Sequence, residues 1–75
     1  MSGISNSNEL EFAVFCIENI ANAMNTAPEK VYDALEKSGL LSGYITANYD
    51  ILHTQSKEYI TDDIIRVMRE KGVGV

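Results

Sequence analysis

A single cysteine in a 75-residue chain cannot form an internal disulfide, so nothing here points to an oxidising compartment. Histidine also occurs once, and with Cys16 it gives no HxxxH, CxxC or HExxH spacing. Metal sites want three or four ligands at defined spacing, so none is expected, nor any other cofactor. Basic residues are few, six against eleven acids for a net charge of −5. That balance disfavours a phosphate backbone or an anionic membrane surface as partner. No run approaches the ~20 apolar residues of a membrane span. Gly39, Gly43 and Gly72 are too scattered for a phosphate-binding loop. The opening MSGISNSNE has neither a basic n-region nor an apolar h-region. No signal peptide is therefore expected, and the expected location is cytoplasmic.

What is present is an apolar fraction of 45%, too high for intrinsic disorder and normal for one small globular domain. The reading is an N-terminal tail over residues 1–7, a single helical domain over 8–72 and a short tail at 73–75. Residues 10–24 form the organising helix. Leu10, Ala13/Val14, Ile17, Ile20/Ala21 and Met24 recur at helical spacing, and Phe12, Phe15 and Cys16 widen the stripe. Asn8 is the expected N-cap with Glu11 as its reciprocal partner, and Asn25 the expected stop. Cys16 on the apolar face reads as packing rather than as a reactive thiol.

Thr26-Ala27-Pro28-Glu29 predicts a second start, with Thr26 as cap, Glu29 as its partner and Pro28 in the first turn. This helix runs to about Ser38 with Val31, Leu35, Tyr32 and Ala34 inward, and Gly39 stops it. Leu40 and Leu41 then fold the chain back. Residues 42–54 are too apolar for a free loop. Their tyrosines and isoleucines also suit a strand pair, but the expectation is a packed, mostly irregular connection with one helical turn capped by Asn48. Ser56 or Thr61 can cap the last helix. The stripe Ile60, Ile64, Val67 and Met68 favours Ser56, with Tyr59 inward, Arg66 paired to Asp62 and Glu70, and Gly72 at the end. The expected fold is all-α: a compact three-helix domain with an additional short helical turn and a helix-turn-helix-like corner between the first two helices.

That corner invites a DNA-binding reading. The exposed face of the second helix would carry Glu29, Lys30, Asp33, Glu36 and Lys37, three acids against two bases, whereas a recognition helix presents Arg, Lys, Asn or Gln. A plain helical corner is the better reading, with DNA contact as an alternative. His53 lies near Asp50, Asp62 and Asp63, and a histidine beside a carboxylate can be a general base. No nucleophile is paired with it by any recognised spacing. A structural histidine, hydrogen-bonding the irregular segment, is expected, and an accessory enzyme centred on His53 is the alternative. Tyr44, Tyr49 and Tyr59 gather in one third of the chain with Gln55 nearby. Tyrosine is favoured at interfaces, because one end packs and the other hydrogen-bonds. They either cap an open end of the core or form a partner-facing patch.

FAVFCIENIA (12–21), PEKVYDALEKSGLL (28–41) and YDILHTQSKEYITDDI (49–64) together resemble a small bacterial family, domain-of-unknown-function family 3791. The YD-x-LHTQ run is the most specific part, and Tyr49, Asp50, His53, Thr54 and Gln55 match it. The resemblance implies a short cytoplasmic protein with no assigned activity and no catalytic residues to carry over. It also implies gene neighbours of an ADP-ribosyltransferase-like kind, hence a partner or antitoxin-type role. The functional expectation is a non-catalytic protein-interaction module. It would bind a partner protein or itself through Tyr44, Tyr49, Asp50, His53, Gln55 and Tyr59, without contact to DNA or membrane.

Overall fold

In the computed structural model, which describes residues 7–74, four α-helices and one π turn follow one another. They are α1 (Ser7–Met24), α2 (Pro28–Ser38), the π turn (Leu41–Ile45), α3 (Tyr49–Leu52) and α4 (Lys57–Glu70). No strand occurs among the described residues, so the all-α expectation holds. Of the expected N-terminal tail only Ser7 is described, and it opens α1. Asn8 therefore sits inside the first turn instead of capping it.

α1 packs against both α2 and α4, and its seam of Phe12, Ala13, Cys16, Ile17, Ile20 and Ala21 is buried between them. Ala13, Cys16 and Ala21 are small enough to let neighbouring backbones come close. Val31 and Leu35 of α2, Leu40, Leu41 and Ile45 around the π turn, Leu52 of α3, and Ile60, Ile64, Val67 and Met68 of α4 complete one core. The predicted stripe on α1 is corrected at Leu10 and Val14, which are 49% and 44% exposed. The apolar arc of α1 is wider than two neighbours can cover. Tyr32 and Tyr59, expected inward, are also exposed, Tyr32 lying one position after buried Val31 and Tyr59 one position before buried Ile60.

The helix ends follow local chemistry. Asn25 is left-handed (φ 55°) and closes α1, with Thr26 donating its N–H to Ala21 O at 3.0 Å and Asn25 to Asn22 O at 3.3 Å. Thr26 is thus part of the exit from α1 and does not cap α2. Pro28 pushes the residue before it into extended backbone, which makes Ala27 (φ −76°, ψ 140°) the N-cap, with no side-chain bond and no capping box. Gly39 (φ 80°) ends α2, and Gly72 (φ 71°) ends α4. After α2 the usual closing bond is relayed by Ser38, whose Oγ accepts from Leu40 N–H at 3.4 Å and donates to Leu35 O at 3.2 Å. Asn48 stands where α3 begins, but its amide donates back to Tyr44 O at 2.7 Å and caps nothing.

Ser56 does cap α4, accepting the Tyr59 N–H at 3.1 Å. Ser56→Ala is expected to lower stability by about 1 kcal/mol, within the 0.5–2 kcal/mol range for such caps. Urea unfolding measures it; an unchanged midpoint would mean that water replaces the cap without loss.

The segment 42–54 is more regular than expected. Thr46 N–H reaches Leu41 O at 3.0 Å, the five-residue bond of a π turn, so Leu41 and Ile45 are both buried while Ser42 and Gly43 stay outside.

Candidate functional site

The six residues singled out from the sequence do not form one patch. Tyr44 projects from the π turn and donates its hydroxyl to Asp63 Oδ2 on α4 at 2.5 Å. Asp63 Oδ1 in turn accepts from Arg66 at 2.8 Å, and Arg66 donates to Glu70 at 3.0 Å. Arg66 therefore pairs with Asp63, one position on from the expected Asp62. The hydrogen bond to Asp63, reinforced by burial and the nearby carboxylate charge, pushes the Tyr44 phenol up to about 12. Tyr59 lies alongside, and with Asp62, Asp63 and Arg66 it lines a shallow depression of about 300 Å³. Tyr44 is thus a tie between the π turn and α4, its polar end already engaged.

Tyr49, the first residue of α3, and His53, the C-cap one helical turn on, build the second feature. Their rings stack at 4.4 Å between centroids with 9° between planes. Tyr49 also meets Phe12 of α1 edge-on at 5.4 Å, and Phe12 lies 6.3 Å from Phe15. Four rings therefore run from α3 onto α1. Phe12 and Tyr49 root the run in the core, while Phe15 and His53 end it at the surface. The helical spacing predicts Phe12 and Phe15 as core residues, and Phe15 is instead exposed. Their spacing of three, beside an exposed shoulder of α1, was the available signal for the rest.

His53 makes no side-chain hydrogen bond among the described residues, so stacking replaces the hydrogen bonds expected of it. Asp50 and Gln55 are exposed, and no side-chain hydrogen bond or ion pair joins them to the others. On α2 the acidic and basic side chains named above are all exposed, and Lys37 is engaged by Asp33 at 3.0 Å. Cys16 is 1% exposed, and burial pushes its thiol up to about 12. Among the described residues no group of three His, Cys, Asp or Glu side chains could hold a metal ion, and no helix is long and apolar enough to cross a membrane.

The arrangement defines a small all-α domain with an aromatic run opening onto its surface. A family model described as a protein of unknown function (DUF3791) matches residues 11–71, and the chain belongs to that family. No curated protein and no solved structure matches it.

Proposed function

We propose that this chain is a non-catalytic protein-interaction module whose contact surface is centred on Tyr49 and His53. The carrying observation is the aromatic run Phe15–Phe12–Tyr49–His53, rigid at its buried middle and open at both ends. Stacked rings held on packed helices lose little side-chain freedom on binding, which is why such residues anchor interfaces. The patch expected from the sequence narrows accordingly: Tyr44 is occupied by Asp63, and Tyr59 lies beside that pair rather than beside Tyr49. DNA binding is disfavoured by the acidic balance of α2 and the Asp33–Lys37 pair. The setting that fits the resemblance is a bacterial cytoplasm, with the chain as an antitoxin-like partner of an ADP-ribosyltransferase-like protein.

The test is affinity capture from the native host with the wild type and with Tyr49→Ala/His53→Ala, both checked by circular dichroism. A stoichiometric partner retained by the wild type and lost by the variant is the expected result. Equal capture by the two would sink this choice of surface. His53→Ala alone, at an exposed position, guards against loss through misfolding.

A further inference from the structure

The stretch 46–55, which carries Tyr49 and His53, is thinly attached to the rest of the fold. Within it only Thr46 and Leu52 are buried, and Tyr49 is half-buried. α3 has four residues, far short of the roughly 12–15 that an isolated helix needs. Its hydrogen bonds are all local: Thr46 N–H reaches Leu41 O at 3.0 Å, Leu52 N–H reaches Asn48 O at 2.8 Å, and Thr54 Oγ1 donates to Ile51 O at 2.8 Å. Among the described residues none of them crosses to α1, α2 or α4. The bond that does cross begins just before the stretch, from the Tyr44 hydroxyl to Asp63 Oδ2 on α4.

Tyr44 is also the residue from which α3 hangs. Its carbonyl accepts from Asn48 N–H at 3.1 Å and from the Asn48 side-chain amide at 2.7 Å, and Asn48 stands immediately before α3. Asp63 is held firmly at the other end. Its side chain is 11% exposed, and its second oxygen accepts from Arg66 at 2.8 Å. A continuous line of hydrogen bonds therefore runs from α4 through Tyr44 to the start of α3, where Tyr49 covers Phe12.

We propose that the Tyr44–Asp63 bond is a latch for residues 46–55. Closed, it sets the Tyr49–His53 face against α1; broken, it lets the stretch lift as one unit and uncover Phe12, while α1, α2 and α4 stay packed. Tyr44 and Asp63 are then positioning residues for a contact surface to which neither belongs. The inference rests on the interaction-module reading for the use of that surface and adds how its geometry is controlled.

The test is native-state amide exchange on the ¹⁵N-labelled chain with Tyr44→Phe, which keeps the packed ring and removes only the hydroxyl. The amides of Asn48, Leu52 and His53 are expected to exchange at least about tenfold faster, the scale of one hydrogen bond to a charged acceptor. Those of Ile17 and Ile20 in α1 should change much less. The His53 ring-proton shifts should move towards their values in the urea-unfolded chain as its stack on Tyr49 loosens. Asp63→Ala should reproduce this pattern, Asp63→Asn should retain part of the protection through its remaining acceptor oxygen, and Tyr44→Phe/Asp63→Ala should add little to either single change. Acceleration by one factor at every core amide would make the bond an ordinary contribution to global stability and overturn the latch, as would no acceleration at 48–53. If exchange shows no selective opening while partner capture still depends on Tyr49 and His53, the latch falls and the interaction-module reading stands. If 48–53 open selectively while capture ignores Tyr49 and His53, the latch stands and the choice of contact surface falls.

Discussion

Ile20→Ala is expected to destabilise the domain by about 2–5 kcal/mol, the range for truncating a buried isoleucine and leaving a cavity. Ile20 is fully buried on the seam of α1, between the two helices that pack there. A domain this small has about 4–11 kcal/mol in all, so the loss removes a large part of it. The melting temperature should fall by at least about 10 °C. Val14→Ala on the same helix is the contrast. Val14 is 44% exposed, and its truncation should change stability by no more than about 0.5 kcal/mol. Thermal unfolding of both variants checks the pair of values. Equal losses would mean that the outer face of α1 is covered in solution.

Native Cys16 is expected to react with a thiol reagent at pH 8 about 10³-fold more slowly than in the urea-unfolded chain. The thiolate is the reacting form, and burial raises this thiol from 9.0 to about 12, which reduces the ionised fraction by about that factor. The same shift has a consequence for stability. A folded state that holds its proton more tightly than the unfolded chain keeps the full contribution below pH 9.0 and loses it as pH climbs towards about 12. Tyr44 acts with the same sign, from its ordinary 10.0 up to about 12. Stability should therefore be level up to about pH 9 and decline above it. Cys16→Ala and Tyr44→Phe should each flatten part of that decline. Fast labelling of the native protein would mean that α1 opens locally far more often than a fully docked helix does.

These contrasts also mark what was legible in the residues. Pro28, Gly39, Ser56 and Gly72 fix helix ends through chemistry confined to a few neighbours, and each acts where its residue type predicts. At Thr26 two local rules compete: the exit from α1 takes its N–H, and Pro28 moves the cap one residue on. Periodicity names a helix without saying which edge of a broad apolar arc is covered, hence Leu10 and Val14. The stretch 42–54 resisted reading for another reason. Its π turn depends on burying Leu41 and Ile45 together and on a hydrogen bond between residues nineteen apart, Tyr44 and Asp63. Nearness in sequence likewise groups Tyr49 with Tyr44 and Tyr59, which packing separates: Tyr49 stands against Phe12, the other two beside Asp63.

At Ser42 and Gly43 the π turn makes chain length, rather than side-chain identity, the strict requirement. Ser42 and Gly43 point into solvent, and a Cβ added at Gly43 would meet nothing within 4 Å, so substitution there is cheap. Deleting either one is a different operation. It would rewind the turn towards an ordinary helix and rotate everything after it by about 100° relative to everything before. Ile45 could then keep its place in the core only if Tyr44 swung away from Asp63, and α3 would carry Tyr49 off Phe12. The two exposed positions of the π turn thus work as a phase setting for the elements that follow it.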